Sequence, residues 1–195
     1  MPGKYKQQRS IRTREDLLDV VADEIVRLGY AGTNLQRVVE RLNLTKGALY
    51  GHFSSKAEAA AALLREFWAE FAEIFGDGRD AAGSGAAVGQ ARITLLFDRA
   101  AESVRTAAAL RMLTEEAQAK SATLPELSAI RATVRAHVQY AQNTGELGSQ
   151  ISADEVVDLV LAVLAGSRPA EVTFGSDDPS AQIRRLWSLL PPEPG

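Results

Sequence analysis

The chain of 195 residues contains no cysteine, which excludes disulfide bonds and thiolate chemistry. No apolar run approaches the ~20 residues that a membrane-spanning helix needs, and no apolar segment follows the basic N-terminus as a signal peptide requires. Aromatic residues amount to only 6%, and His137 has no His, Asp or Cys partner at a metal-binding spacing. These absences predict a soluble, cytoplasmic protein without a metal site or a cofactor.

Charge is distributed unevenly along the chain, although its net value is only −3. Residues 1–56 hold ten Lys or Arg and six Asp or Glu, a net charge of +4, whereas the remaining residues hold twelve basic and nineteen acidic ones, a net charge of −7. A basic head on an acidic body predicts that one end of the molecule meets phosphates. On charge alone, a solvated tail ahead of an ordinary domain explains the pattern equally well.

The apolar pattern predicts helices throughout, and the frequent alanine favours them further. Residues 1–12 are basic and lack that pattern, which predicts a flexible arm. A helix is expected over about 13–28, ended by Gly29, and two short helices over about 35–42 and 46–52. A long helix follows from Ser55 to about residue 75. After a glycine-rich connection, the same criteria predict helices over about 88–104, 106–120, 123–145, 152–166 and 178–190.

Several helix starts carry residues that would cap them. In a capping box, a hydroxyl and a carboxylate or amide three residues later satisfy free amides at the helix start. This pattern occurs at Thr33–Gln36, Ser55–Glu58 and Ser152–Glu155. Two further helix starts are predicted by Thr123 with Glu126 and by Asp178 with Pro179.

Leu42-Asn43-Leu44 joins the second and third predicted helices. Two short helices on a three-residue turn, after a longer helix, are typical of a helix-turn-helix. The turn needs a residue that tolerates a positive φ, and Asn43 is one of the few besides glycine that do. Thr45 would cap the third helix, whose small first residues and free amides allow its backbone to approach a phosphate closely.

Side chains on and beside the third helix are candidate DNA contacts. Lys46 would project at a base edge, such as the guanine acceptors of the major groove. Tyr50 and His52 would flank the groove and bond phosphates, and Lys56 would add a charge over the DNA backbone. The alternatives are a solvated lysine at 46, a core aromatic at 50 and an internally packed histidine at 52.

The stretch from Gly29-Tyr30-Ala31-Gly32-Thr33 through Thr45-Lys46-Gly47-Ala48-Leu49-Tyr50-Gly51-His52-Phe53-Ser54-Ser55-Lys56 resembles the DNA-binding domain of the tetracycline-repressor (TetR) family. The resemblance covers about residues 13–65, and it implies about nine helices, a homodimer through the last two and an effector cavity in the C-terminal domain. At Gly51 the family more often has a large aromatic or polar residue. The resemblance also implies phosphate or base contacts at Thr33, Thr45, Lys46, Gly47, Tyr50, His52 and Lys56.

The predicted fold is therefore all-α with three parts: the basic arm over 1–12, a three-helix helix-turn-helix domain over 13–54, and a helical ligand-binding and dimerisation domain over 55–195. The motif from Thr45 to Phe53 is similar to that of γ-butyrolactone receptors of high-GC bacteria. In those receptors a Trp lines the pocket, and the resemblance places Leu127 there. Two interpretations stay open: a γ-butyrolactone-like effector, or a regulator of the same fold with another effector or none.

A mainly apolar pocket is predicted between the helices that cover about 88–166. Its lining would come from Leu96, Leu113, Leu127, Ile130 and Val134. A small all-α enzyme is the first competing function, but the chain has no cysteine, paired histidines or nucleophile elbow, and Glu115 with Glu116 is expected on a helix surface. The second, an architectural DNA binder, conflicts with basic charge that is confined to the head. The sequence favours a non-enzymatic, ligand-responsive repressor that binds double-stranded operator DNA, a second copy of itself and a small hydrophobic effector.

Overall fold

The computed structural model describes residues 2–76, 86–121, 124–174 and 179–190. Every regular element in those ranges is an α-helix, which confirms the predicted all-α class. None of these helices combines the length and the apolar character that crossing a bilayer requires. In chain order they are α1 Pro2–Gly32, α2 Leu35–Arg41, α3 Lys46–Tyr50, α4 Lys56–Phe75, α5 Ala86–Glu102, α6 Val104–Lys120, α7 Pro125–Asn143, α8 Ala153–Phe174 and α9 Pro179–Ser188.

The helices form two compact units. Unit 1 consists of residues 1–68 with 103–115, and unit 2 consists of residues 69–102 with 116–195. The predicted helix-turn-helix segment, 13–54, lies wholly within unit 1. Unit 1 also takes in the first turns of α4 and most of α6, so each of these two helices has residues in both units.

Helix α1 begins earlier than its apolar pattern predicts. The sequence predicts a flexible arm over residues 1–12 and a helix only from about residue 13, whereas residues 2–12 form the first turns of α1. Lys, Gln and Arg dominate this stretch, and they are good helix formers. They extend a helix that is already held in place by its packed residues from Leu17 onward, so no new nucleation is needed.

Helix α1 is interrupted at Gly29, where φ is +74° and ψ is 168°. This conformation, which favours glycine, breaks the rung in which the Tyr30 N–H would bond the Val26 carbonyl. Two α6 side chains one turn apart replace that rung. Glu115 Oε2 accepts the Tyr30 N–H at 3.0 Å, and Arg111 Nη1 donates to the Val26 carbonyl at 2.5 Å. A 2.6 Å hydrogen bond joins Arg111 to Glu115, and we call this arrangement the α1 splice.

The predicted caps are present in part. At α8 the box is complete, since Ser152 Oγ accepts the Glu155 N–H at 3.3 Å and the Glu155 carboxylate accepts the Ser152 N–H at 2.8 Å. At α4, Ser55 Oγ accepts the Glu58 N–H at 3.1 Å. The Glu58 carboxylate, however, accepts the N–H of Ser54 at 2.7 Å, one residue earlier than predicted, and these Ser54 hydrogen bonds lower the pKa of Glu58.

Two predicted caps, Thr123 and Asp178, lie outside the described residues. Helix α7 itself begins with Leu124 as its N-cap and Pro125 in the first turn, and no side chain among the described residues caps it. Proline suits this position because the first amides of a helix have no partner within it.

The predicted pocket residues do not share one unit. Leu96, Ile130 and Val134 are fully buried in unit 2, and Leu127 is partly buried there. Leu113, in contrast, belongs to unit 1. The reason is that the α6 side chains up to Glu115 bind α1, through the α1 splice and through Arg105, whose guanidinium bonds the Glu15 and Asp19 carboxylates at 2.6 and 2.7 Å.

Candidate nucleic-acid interface

The turn between α2 and α3 has the geometry that the sequence predicts. Asn43 takes a positive φ of 51°, a conformation that its short polar side chain tolerates. The Leu44 N–H bonds back to the Val39 carbonyl at 2.9 Å, which closes the end of α2. Val38, Val39 and Leu49 are buried in the same apolar core and hold the two helices together.

Helix α3 presents one face to that core and the other to solvent. Thr45 caps it as predicted, because its Oγ1 accepts the Ala48 N–H at 3.1 Å, and the hydroxyl hydrogen is still available to donate. Leu49 is buried, whereas Lys46, Gly47 and Tyr50 are exposed, Tyr50 to 56%. Lys46 and Tyr50 lie one turn apart on the helix surface.

Gly47 has no structural reason to be glycine. A Cβ built there would meet only Thr45 Oγ1, at an ordinary 3.8 Å. Glycine inside a helix costs about 0.5–1 kcal/mol relative to alanine, because it has more backbone freedom to lose. What glycine provides at this exposed position is a bare backbone that another molecule can approach closely.

Thr33 is a predicted contact that the structure places differently. Its side chain is only 5% exposed, and its hydroxyl donates to the Gly29 carbonyl at 2.8 Å. Asn34 has the capping role predicted for Thr33, since its Oδ1 accepts the Gln36 N–H at 2.8 Å. The break at Gly29 frees a carbonyl that the nearby Thr33 hydroxyl satisfies, so the exposed polar side chain at this corner is Asn34, which the sequence analysis missed.

Lys56 is also engaged inside unit 1. Its ammonium group donates to the carbonyls of Tyr30 at 2.9 Å, Thr33 at 3.2 Å and Ala31 at 3.4 Å. It also lies 4.6 Å from the centre of the Tyr30 ring. The carbonyls at the end of a helix lack intrahelical donors and carry partial negative charge, so a lysine is favourable there. The charge that the sequence assigned to the DNA backbone therefore stabilises the end of α1.

Other basic side chains of the head are paired within unit 1. Arg37 bonds Glu24, a carboxylate with 2% exposure, at 2.8 Å. Arg41 bonds Asp23 at 2.6 Å. These pairs tie α2 to α1 and reduce the positive charge that is free for phosphates. Lys46 has no ion pair among the described residues, and His52, half-buried just after α3, completes the predicted set.

Residues 17–63 match the family model described as bacterial regulatory proteins, tetR family. This matched segment, which we call the tetR-family domain, lies within unit 1. The match begins within α1 and ends within α4, so it includes the turn at Asn43 and the exposed face of α3. The matched segment therefore contains the helix-turn-helix that the sequence predicted.

The relatives share the tetR-family domain in sequence and the whole fold in structure. A stretch of 61 residues is 36% identical to the A-factor receptor protein of Streptomyces griseus, and it covers 31% of this chain and 22% of that protein. A gamma-butyrolactone receptor, an ArpA-like protein, superposes with a TM-score of 0.71 at 23% identity, over 95% of this chain and 91% of that one. The TetR-family protein CprB of Streptomyces coelicolor, solved with its operator, gives 0.62 at 24% identity over 93% and 97%. The structural likeness extends the shared fold to unit 2.

Proposed function

We propose that the chain is a repressor that binds a palindromic operator as a homodimer and leaves it when a small hydrophobic effector binds unit 2. The observation that carries the DNA-binding part is the exposed face of α3. There, Lys46 and Tyr50 flank a glycine that the fold does not require. Thr45, Lys46, Gly47, Tyr50 and His52 remain the proposed contacts, and the hydroxyl of Thr33 and the ammonium group of Lys56 do not.

The homodimer is supported by apolar side chains left exposed on α8 and just after α9. Leu159 of α8 is 45% exposed, and Leu189, directly after α9, is 74% exposed. A two-fold dimer would place its two α3 helices roughly 34–36 Å apart, which is the length of one turn of DNA, or a small multiple of that distance apart. Such a dimer binds a palindrome because its two halves present the same contacts.

The effector is proposed from unit 2 and from the relatives. Leu96, Ile130 and Val134 offer apolar side chains, and two similar proteins are named as receptors for A-factor and for gamma-butyrolactone. The leucine at 127 removes the flat wall that a Trp would supply, so we expect a different apolar effector. A γ-butyrolactone added at nanomolar concentration should leave the protein on its operator. Effector binding lowers operator affinity only by the difference in its affinity for the two states.

Gly47→Ala tests the DNA-binding face. The methyl group should raise the free energy of unfolding by about 0.5–1 kcal/mol. The same methyl group should lower operator affinity by about tenfold or more, equivalent to about 1.4 kcal/mol, because it stands between the α3 backbone and the DNA. Urea unfolding and fluorescence anisotropy measure the two effects, with duplexes that the wild-type chain has selected from a random library as the operator.

Gly51→Ala is the matched control. Gly51 has an ordinary φ of −70° at the end of α3, and its Cβ would meet backbone carbonyls at 3.4 Å, so this variant should keep the wild-type affinity. Unchanged operator affinity in Gly47→Ala would contradict the proposed face. Equal binding to selected and random duplexes at matched salt would contradict sequence-specific repression.

A further inference from the structure

Helix α5 carries an arginine within its apolar stripe. Gly89, Ile93 and Leu96 are buried at helical spacing, and Arg92 lies in the same stripe, half-buried. Helix α7 shows the same feature, since His137 is only 3% exposed between the buried Val134 and the buried Ala141. Positions of this kind in a helical unit ordinarily hold apolar residues, because burying a polar group costs free energy unless it is hydrogen-bonded.

The two polar side chains contact each other. His137 Nδ1 lies 2.9 Å from the Thr133 carbonyl, which only accepts, so this nitrogen carries the ring hydrogen. Arg92 Nη1 lies 3.4 Å from His137 Nε2, and arginine only donates, so Nε2 is the acceptor. Gly89 allows this approach, because a Cβ there would already stand 3.4 Å from His137 Cβ.

The guanidinium of Arg92 has donors to spare. Its hydrogen bonds all start at Nη1, at 3.4 Å to His137 and at 3.5 Å to the Phe75 carbonyl, and it has no carboxylate partner among the described residues. The Nε–Nη2 edge, which matches a carboxylate in shape, therefore has no partner in the part of the chain that the structure describes. Other arginines of unit 2 do have carboxylate partners: Arg99 with Glu70, Arg131 with Asp158, Arg135 with Asp154 and Arg184 with Asp98.

We propose that Arg92 anchors the carboxylate of an amphiphilic acid, and that His137 positions the guanidinium for it. A half-buried cation without a counter-charge is unfavourable, and a bound carboxylate removes that cost while forming two parallel hydrogen bonds. Ile93 and Leu96 on the same stripe of α5, and Val134 one turn before His137 on α7, are buried apolar residues that suit a hydrocarbon portion. The inference rests on the proposed function in that it names the effector class as apolar carboxylic acids. The competing role for Arg92 is purely structural: a cap on the Phe75 carbonyl at the end of α4.

Calorimetric titration with three probes of equal chain length tests the anchor. Decanoate carries a negative charge, whereas methyl decanoate and 1-decanol have a similar alkyl chain and no charge. Decanoate should bind the wild-type chain about tenfold more tightly than 1-decanol, in line with hydrogen bonds to charged groups. Arg92→Met should lose this preference while its affinity for 1-decanol stays unchanged. Arg92→Lys should recover part of it, because lysine restores the charge but not the planar pair of donors.

The control is Arg99→Met, two turns further along α5, which should keep the preference because Arg99 already pairs with Glu70 at 3.4 Å. His137→Phe should reduce the preference for decanoate, whereas a merely structural role would change stability alone. Circular dichroism checks that each variant is helical. If Arg92→Met is not helical, the ratio of decanoate affinity to 1-decanol affinity in Arg92→Lys decides instead.

Three results would overturn the inference. The wild-type chain could bind decanoate and 1-decanol equally, or show no saturable decanoate binding at 1 mM. A folded Arg92 variant could also keep the preference for decanoate unchanged. Operator binding is measured separately by anisotropy. Decanoate binding that needs Arg92 in a chain without operator affinity would contradict the proposed function and support the anchor. Operator binding without decanoate binding would contradict the anchor alone.

Discussion

At the scale of single residues, Lys46 and Lys56 carry the same charge in different surroundings. Lys46 is exposed at the start of α3 without an ion pair among the residues the structure describes. Lys56 is half-buried, and its ammonium group bonds three carbonyls at the end of α1. The ammonium group of Lys56, which is already hydrogen-bonded, would gain little free energy from a phosphate. The exposed ammonium group of Lys46 would gain a full charge-assisted hydrogen bond.

Lys46→Ala and Lys56→Met should therefore act on different quantities. Lys46→Ala should lower operator affinity by about 1–3 kcal/mol per half-site and relax the preference at one base pair. Lys56→Met should lower the free energy of unfolding by about 1–2 kcal/mol, since three carbonyls lose a charged donor. Its salt dependence of DNA binding should match that of the wild type. A salt slope lower by about one in Lys56→Met would instead show a phosphate contact there.

At the scale of elements, the α1 splice joins two helices through a broken rung. The Tyr30 N–H and the Val26 carbonyl would bond each other in an unbroken helix, and Glu115 and Arg111 of α6 take those bonds instead. Side chains inserted into the hydrogen-bond ladder are a known cause of sharp helix kinks. The splice makes α6 part of the structure of α1 even though 85 residues separate Tyr30 from Glu115.

Glu115→Ala should destabilise unit 1 by about 1–3 kcal/mol, because the part-buried Tyr30 N–H loses its acceptor. Glu116→Ala is the neighbouring control. Glu116 pairs with Lys120 at 2.5 Å on the surface, with both side chains at least half exposed, so its removal should not change stability measurably. Urea unfolding at pH 7 measures both variants, and equal effects would contradict the splice.

A second link between α6 and α1 depends on pH. Burial alone would lower the pKa of Arg105, but its hydrogen bonds to Asp19, Glu15 and Glu66 outweigh burial and raise it. The hydrogen bond from Arg105 in turn holds the pKa of Glu15 below its usual value. A carboxyl of this kind stabilises the fold above its unfolded pKa, about 4.3 for glutamate, and loses that contribution as the pH falls through the lower folded pKa.

Arg105→Met should lower the free energy of unfolding by about 1–2 kcal/mol at pH 7, a modest effect because the carboxylates are partly exposed. The difference in unfolding free energy between the wild type and this variant should narrow as the pH falls below about 4, because protonated Glu15 no longer favours a charged partner. Arg27→Met, whose Asp23 partner stands 4.0 Å away on the surface, should show no such narrowing. A gap that stays constant down to pH 3 would contradict the role assigned to Glu15.

At the scale of the whole molecule, the proposed dimer depends on exposed apolar surface at α8 and α9. Leu159→Glu should shift the chain towards monomers in light scattering at micromolar concentration, because a carboxylate in an apolar interface loses its water without gaining a partner. Leu28→Glu is the control, since Leu28 has a similar exposure, 47% against 45%, but lies in unit 1. A monomeric wild type, or an equal effect of the two variants, would contradict the proposed interface.

The sequence by itself determined the features that depend on neighbours within a few positions. Helix spacing predicted the all-α fold and a helix over about 123–145, where the structure has α7. Local chemistry predicted the turn at Asn43 and the cap at Thr45. The helical turns at 2–12 were not predicted, because this stretch has no apolar face. A sequence without such a face does not distinguish a helical extension from a flexible arm.

Only the tertiary structure decided which polar groups of distant segments meet. Lys56 bonds the Tyr30 carbonyl at the end of α1, 26 positions away. Glu115 bonds the Tyr30 amide across 85 positions, and Arg92 contacts His137 across 45. A sequence shows that each of these residues has charge or hydrogen-bonding capacity to satisfy. Which partner satisfies it depends on distances of about 3 Å, because hydrogen bonds weaken steeply with distance and angle, and packing sets those distances after the helices have formed.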